Sequence, residues 1–212
     1  MNCLTVGLVY AVLNLDHIAV GPFLFSRPVV VGSVVGAVLG NAPLGFSAGL
    51  SAQLMLISLP ASGPAAVVDL ALVGGLAALW AVDAWASRGA ALTLSLLLAM
   101  PAGWAAGRVD VWIRRQNDRM GDWILERLTR GRERVLWKAL AFWSALWFVK
   151  AWAVFSAVGC LGQRAVDLLL QHLPLRLLES LDRGADMLPI IGFSAALVHF
   201  WNRLTPPRVD RA

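Results

Sequence analysis

The residues with the clearest chemical potential lie around an interruption in a strongly apolar part of the chain. The stretch LSAQLMLISLPASGPAAVVD carries two strongly polar side chains, Gln53 and Asp69. Between them, Pro60, Gly63 and Pro64 would interrupt a helix. Backbone groups freed in this way are tolerated in lipid only where protein or a polar cavity surrounds them, and transporters bind substrates at such broken segments. The pattern predicts a ligand site at a broken membrane helix.

Asp69 is the strongest candidate within this stretch. It comes just after the interruption and early in the next apolar segment, where a helix N-terminus stabilises a carboxylate. The same carboxylate could accept hydrogen bonds from sugar hydroxyls. The structural alternative is an acid that only caps the helix or bonds to a neighbouring helix. Because ionisable residues inside a membrane are costly and usually functional, ligand binding or gating is the favoured interpretation.

A second polar island, NLDHIAVGPFLFSRPVVV, contains Asp16 and Arg27. The structural interpretation is an ion pair between them at a segment boundary, with Pro28 starting the next helix. His17 adjoins Asp16, but no second histidine lies nearby to form a dyad or a metal site. No hydrolase elbow, phosphate loop or metal-spaced cluster occurs in the chain. The sequence therefore predicts no catalytic residue, no metal and no cofactor.

Composition identifies the environment of these residues. Of the 212 residues 58% are hydrophobic and only 15% charged, against about 25% charged in soluble proteins. Residues 28–68 contain no Asp, Glu, Lys or Arg, although about 20 apolar residues suffice for one membrane crossing. The positive charges that give the net charge of +5 are concentrated between residues 108 and 138 and in the tail. The positive-inside rule predicts such a distribution, whereas a nucleic-acid-binding protein would spread its positive charges over one face. We expect an all-α polytopic membrane protein without a nucleic-acid partner.

The chain divides into three regions. Residues 1–107 form an N-terminal membrane region with broken or re-entrant helices at the substrate site. The topology of its first segments stays open, because re-entrant segments and full membrane passes look alike in sequence. Residues 108–138 form a connector with nine basic and five acidic side chains, which predicts a cytoplasmic position. Residues 139–212 form a membrane hairpin and a basic tail, with residues 164–183 as the external connection.

The connector has the pattern of an amphipathic helix that lies along the membrane surface. Apolar residues recur at helical spacing while arginines and acids fill the other face. Two interpretations stay open, a solvated connector and a docking surface for a cytoplasmic partner. The apolar residues of this pattern are Trp112, Ile113, Met120, Trp123, Ile124 and Leu128.

Small residues predict close helix packing in the N-terminal region. Gly32, Gly36 and Gly40 occupy every fourth position, and Gly45 and Gly49 repeat this spacing. Such spacing lets two helix backbones approach each other in lipid. We expect these glycines to pack helices rather than to bind a ligand.

Three further residues are harder to interpret from the sequence. Lys150 lies inside an apolar segment, where it either extends towards the interface or faces the bundle interior. Cys3 and Cys160 both lie in apolar runs and form no disulfide or metal framework by their spacing.

The order of these motifs resembles the IIC component of mannose/fructose/sorbose-type phosphotransferase systems. The resemblance begins with a Leu-Asp at Asp16, an Arg-Pro at Arg27 and the spaced glycines. It continues with the family's Arg-Arg-x-Asn, which is matched by Arg114, Arg115 and Asn117. Pro189 and Gly192 then match a later proline-containing hairpin, so that the resemblance extends over most of the chain.

The resemblance implies a function without catalytic residues in this chain. A IIC component and its IID membrane partner form the sugar pathway, while the cytoplasmic IIA and IIB subunits carry the phosphate on histidines. The implied protein is a permease subunit of an oligomeric complex in the bacterial inner membrane, with a hexose or hexosamine as substrate. The resemblance points to substrate binding by Asp69, Gln53, Asn41 and Asp16. It points to partner docking by Arg114, Arg115 and Asn117.

The sequence also departs from the family pattern. The family's acid after Gly40 is Asn41 here, its Glu is Gln53, and its Pro-Pro before the acid is Val67-Val68. The chain also ends where the family pattern continues with further apolar segments. These departures leave a second hypothesis, a non-transporting IIC-like scaffold or sensor. Because Asp69 and the helix interruption are retained, we favour transport.

Overall fold

The computed structural model describes residues 3–17, 23–57, 68–84, 87–130 and 134–204. This part of the chain is helical and contains no strand. Four short helices come first, followed by three long ones, and a 3₁₀ turn at Leu15–His17 follows the first helix. The α-helices are α1 (Cys3–Asn14), α2 (Pro28–Val38), α3 (Ala42–Met55), α4 (Leu70–Asp83), α5 (Arg88–Thr129), α6 (Arg134–His172) and α7 (Leu175–Leu204).

Helix length separates the two halves of the protein. The long helices contain three segments that are long and apolar enough to cross a membrane, Arg88–Gln116, Arg134–His172 and Leu175–Trp201. Helices α1 to α4 have 11 to 14 residues each, fewer than the about 20 residues that one crossing needs. The expected all-α membrane fold is confirmed, and the helices of the N-terminal half are short. The interruption at Pro60, Gly63 and Pro64 itself lies outside the described residues.

Helices α2 and α3 approach each other backbone to backbone. A Cβ atom placed on Gly45 would lie 2.4 Å from the carbonyl oxygen of Gly32 and 2.6 Å from the Cα of Gly36. A Cβ on Gly49 would lie 2.4 Å from the carbonyl oxygen of Pro28. Any side chain at these positions would therefore push the two helices apart.

Gly40 has a different role from the other four glycines of this pattern. No atom lies within 4 Å of a Cβ placed on it, and its φ of +86° is in the left-handed region. It follows the end of α2, where glycine adopts this conformation without the steric cost of a side chain. Gly40 therefore follows the four-residue spacing of the other glycines but lies in the turn after α2, outside the surface that packs on α3.

Helix α4 forms the centre of the bundle. Nearly all its side chains from Ala71 to Ala81 are buried, as expected for a helix that is apolar on every face. Trp80 shows how tightly α6 packs on it: its indole Nε1 donates a hydrogen bond to the carbonyl oxygen of Gly159 at 2.9 Å. Its ring fills the space that a side chain at Gly162 would need. The core lies between the interrupted helices and the long ones.

The basic connector continues an existing helix. Residues 108–129 form the second half of α5, which also contains Pro101. The expected external connection is also mostly helical, because α6 runs to His172 and α7 begins at Leu175. The start of α5 is fixed by α7, where Asp182 accepts a hydrogen bond from the amide of Ala90 at 3.2 Å. A change in polarity along a chain does not by itself end a helix.

The glycine contact between α2 and α3 can be tested with one added methyl group. We expect Gly45→Ala to lower the free energy of unfolding by about 1–3 kcal/mol, because overpacking forces the backbones apart. The measurement is denaturant or thermal unfolding of the purified chain in detergent. The matched control is Gly121→Ala in α5, where nothing lies within 4 Å of the added atom. A control loss equal to that of Gly45→Ala would contradict the packing role.

Candidate functional site

Asp69 lies where three parts of the fold meet. Its Oδ1 accepts a hydrogen bond from the amide of Leu72 at 3.0 Å and so caps α4. Its Oδ2 accepts a hydrogen bond from the hydroxyl of Tyr10 at 3.1 Å. Its own amide donates to the carbonyl oxygen of Gly103 in α5 at 3.0 Å. The half-buried carboxylate is therefore held by α4 itself and by α1, and its backbone is held by α5.

Tyr10 is a site residue that the sequence analysis missed. Its side chain is 1% exposed, and its ring stacks on Phe155 of α6 with centroids 4.5 Å apart and planes 22° apart. Stacking on Phe155 directs the hydroxyl towards Asp69, 59 residues away in sequence. The available signal was that Tyr10 is the only tyrosine in the chain and lies in an apolar segment. A buried tyrosine usually needs a partner for its hydroxyl.

Lys150 faces the interior of the bundle. It forms an ion pair with Asp110 that links α6 to α5, and the two side chains are only 8% and 18% exposed. Its ammonium also lies 5.1 Å from the ring centroid of Trp147. Asp110 and Lys150 therefore form a buried charged cluster between α5 and α6, beside Trp147.

Asp16 and Gln53 both act near the start of α2. The carboxylate of Asp16, which is 5% exposed, accepts hydrogen bonds from the amides of Phe23 at 3.0 Å and Phe25 at 2.7 Å. The described residues show these bonds in place of the suggested ion pair between Asp16 and Arg27. The side-chain oxygen of Gln53 accepts a hydrogen bond from the amide of Val29 at 3.3 Å. Both side chains satisfy backbone N–H groups that α2 and its preceding turn leave unpaired.

Asn41 caps another helix, at a different level of the bundle. Its side-chain oxygen accepts a hydrogen bond from the amide of Leu44 at 3.2 Å and caps α3. Asn41 and Gln53 lie near opposite ends of α3, which places them about 18 Å apart at 1.5 Å per residue. Asp69, in contrast, is near the start of α2, because Gly74, five residues or about 7.5 Å further along α4, packs against Pro28. The structure therefore groups Asp16, Gln53 and Asp69, and it separates Asn41 from them.

The residues predicted to dock a partner have different environments. Arg114 is half-buried, and its guanidinium lies 5.9 Å from the ring centroid of Trp147, next to the charged cluster. Arg115 is exposed on the other face of α5. The side chain of Asn117 lies outside the part of the chain that the structure describes. Of the two arginines, only Arg115 has an exposed side chain.

This arrangement suits the binding of an uncharged, hydroxyl-rich molecule. Each carboxylate oxygen of Asp69 already accepts one hydrogen bond and can accept a second, and the amide nitrogen of Gln53 can donate. Both side chains are only half-buried. Hydrogen bonds to the protein fix their orientation before any ligand arrives, which reduces the entropy lost on binding.

Comparison with known proteins identifies the family. The family model described as "PTS system sorbose-specific iic component" matches residues 1–206. A solved structure described as "Structure of membrane protein" has a similar fold, with a TM-score of 0.63 and 21% identity over 97% of this chain and 80% of that chain. No curated protein matches. The matched range includes every side chain of the candidate site.

The buried ion pair yields a stability prediction. We expect Lys150→Met to lower the free energy of unfolding by about 3–5 kcal/mol, because it leaves the charge of Asp110 unpaired inside the bundle. The double variant Lys150→Met/Asp110→Asn should recover part of this loss, since it removes the stranded charge. The measurement is equilibrium unfolding of all variants in detergent, analysed as a double-mutant cycle.

The control for this prediction is an ion pair on the surface. Arg130 and Glu126 form an exposed pair in α5 at 2.5 Å, with side chains 68% and 61% exposed. We expect Arg130→Met to change the free energy of unfolding by only about 0.5 kcal/mol, because water screens this pair. Equal losses for Lys150→Met and Arg130→Met would show that the pair with Asp110 does not stabilise the bundle.

Proposed function

Because the chain belongs to the family of sorbose-specific IIC components of the phosphotransferase system, we propose that it binds a hexose-type sugar and moves it across the bacterial inner membrane for phosphorylation by a IIB subunit. A sugar permease subunit of a phosphotransferase system needs a polar site inside an apolar bundle and no catalytic residue of its own. The single observation that carries the proposal is the capped, half-buried carboxylate of Asp69 beside Tyr10.

Asp69 is the proposed primary sugar ligand. Its oxygens are held by Tyr10 and by the amide of Leu72, and each retains a lone pair for a sugar hydroxyl. The N-terminal end of α4 stabilises its negative charge. Such a carboxylate accepts hydrogen bonds from a neutral sugar at little cost, because the group is already oriented.

Gln53 and Asp16 are proposed to have complementary roles. The side-chain nitrogen of Gln53 can donate to a ring or hydroxyl oxygen while its oxygen holds the amide of Val29. Both oxygens of Asp16 are engaged with the turn before α2, so we assign it to positioning that turn. Asn41, near the other end of α3, is assigned to capping α3 and not to the same sugar site.

The partners follow from the same proposal. Members of this family act with other phosphotransferase components, and we propose a IID membrane subunit and cytoplasmic IIA and IIB subunits in an oligomeric complex. The exposed Arg115 and the exposed Trp123, with the Arg127 guanidinium 4.2 Å from its ring centroid, provide a basic and aromatic surface on the second half of α5. A cytoplasmic subunit is the proposed occupant of this surface.

The alternative of a non-transporting scaffold depended largely on the amides at positions 41 and 53. In the structure both side chains act through their carbonyl oxygens, as acceptors of backbone N–H groups. A carboxylate would accept the same bonds, so either side chain can cap these helix starts. The amides are therefore compatible with an intact fold, and they give the scaffold hypothesis little support.

Sugar phosphorylation in inverted membrane vesicles tests the proposal. The vesicles contain the full chain and its IID partner, and are supplied with IIA, IIB, the general carriers, phosphoenolpyruvate and a panel of labelled hexoses and hexosamines. We expect one sugar to be phosphorylated, and Asp69→Asn to reduce the rate by at least about tenfold, the equivalent of about 1.4 kcal/mol of lost binding. Asparagine still caps a helix, so this variant should remain folded.

The matched control is the same substitution at another helix start. Asp182→Asn changes the carboxylate that accepts from the amide of Ala90 at the start of α5, and we expect it to retain the normal rate. Absence of product from every sugar, with the same partners active beside another IIC component, would favour the scaffold. Equal rates of sugar phosphorylation for Asp69→Asn and the unchanged chain would show that Asp69 is not part of the sugar site.

A further inference from the structure

Helices α1 and α6 pack closely against each other. A Cβ placed on Gly7 would lie 2.2 Å from the hydroxyl oxygen of Ser156. The indole Nε1 of Trp152 donates a hydrogen bond to the carbonyl oxygen of Leu4 at 3.1 Å. Further along α1, Tyr10 stacks on Phe155. These contacts fix the register between the two helices.

This register places the two cysteines of the chain opposite each other. Residues four apart lie on the same face of a helix. One turn before Gly7 on α1 is Cys3, and one turn after Ser156 on α6 is Cys160. Cys160 is a direct side-chain neighbour of Cys3, so both steps lead away from the Gly7–Ser156 contact in the same direction, and the two helices are antiparallel here. Cys160 lies on the outer surface of the bundle, and Cys3 is half-buried beside it.

The position of this pair in the membrane follows from charge. The excess of basic residues between 108 and 138 places the start of α6 on the cytoplasmic side. The later part of α6, which contains Cys160, then lies towards the external side. Disulfides form and persist in such oxidising compartments, whereas cytoplasmic thiols are kept reduced. The two thiols are therefore on the side where oxidation is favourable.

We propose that Cys3 and Cys160 form a reversible disulfide site at the external end of the α1–α6 pair. The oxidant is an external disulfide, either a small molecule or the active site of an oxidising protein. The thiolate of Cys160 attacks one sulfur of that disulfide and releases the other as a thiol. The thiolate of Cys3 then attacks the sulfur of Cys160 in this mixed disulfide and releases the second half of the oxidant as a thiol. One disulfide forms in the chain, the oxidant is reduced to two thiols, and protons balance the thiolates.

The bond would act on the same helix pair that holds Tyr10. Cys3 lies two turns from Tyr10 on α1, and Tyr10 contacts both Phe155 and Asp69. A disulfide would restrain α1 against α6 and so restrain the donor to Asp69. This inference concerns covalent chemistry of the cysteines and does not depend on which molecule the protein transports.

The test counts reactive thiols in the full chain in native membranes. Membranes are treated with oxidised glutathione, and free thiols are then labelled with a maleimide that carries a polymer and shifts the band on a gel. We expect two labels without oxidant, none after oxidant, and two again after reduction. The oxidised chain should migrate as a monomer on a non-reducing gel. Labelling of both cysteines after oxidation, or a crosslinked dimer, would overturn the proposal.

The matched control moves one thiol around the helix. In Cys160→Ser/Leu161→Cys the new thiol takes the place of an exposed leucine and points about 100° away from Cys3. We expect this variant to keep two reactive thiols under the oxidant that protects both thiols of the native chain. If the oxidant blocked both thiols of this variant as well, the reaction would not require Cys160 at its own position on α6. That result would overturn the pairing of Cys3 with Cys160.

Discussion

The constraint on which this structure depends is the need to satisfy backbone N–H groups where helices begin inside an apolar bundle. A continuous membrane helix has such ends only near water, but α2, α3 and α4 are too short to reach from one interface to the other. Each unpaired group in lipid costs several kcal/mol. The chain meets this cost with side-chain oxygens from Gln53, Asn41 and Asp69, each directed at the first turn of a helix.

This constraint explains why the polar residues of the candidate site are located where they are. A side chain that must cap a helix in the bundle is already buried in part, oriented and hydrogen-bonded. Asp69 adds a second function to the first, because only one of its two oxygens is needed for the cap. The other oxygen receives the hydroxyl of Tyr10, which connects the start of α4 to α1 and, by stacking, to α6.

The sequence was sufficient for the features that depend on local pattern. Composition predicted the all-α membrane fold, and the position of Asp69 early in an apolar segment predicted a helix start, which its cap on Leu72 shows. The sequence was insufficient for pairings between distant residues. Tyr10 with Asp69 and Asp110 with Lys150 depend on the packing of separate helices, and no local signal specifies that packing. The second half of α5 was also expected to be a separate helix, because polarity changes there while the backbone continues.

A capped carboxylate also offers a physical route from sugar binding to movement. If a sugar hydroxyl competes with Tyr10 for the same oxygen of Asp69, binding weakens the contact between α4 and α1 without unpairing the cap on Leu72. The amide of Asp69 would still bond to Gly103 of α5, and Trp80 of α4 would still bond to Gly159 of α6. Helix α1 would then shift against α4, while α4 stays attached to the long helices. In this exchange one hydrogen-bond donor to Asp69 replaces another, and no charge has to be created or removed in the membrane.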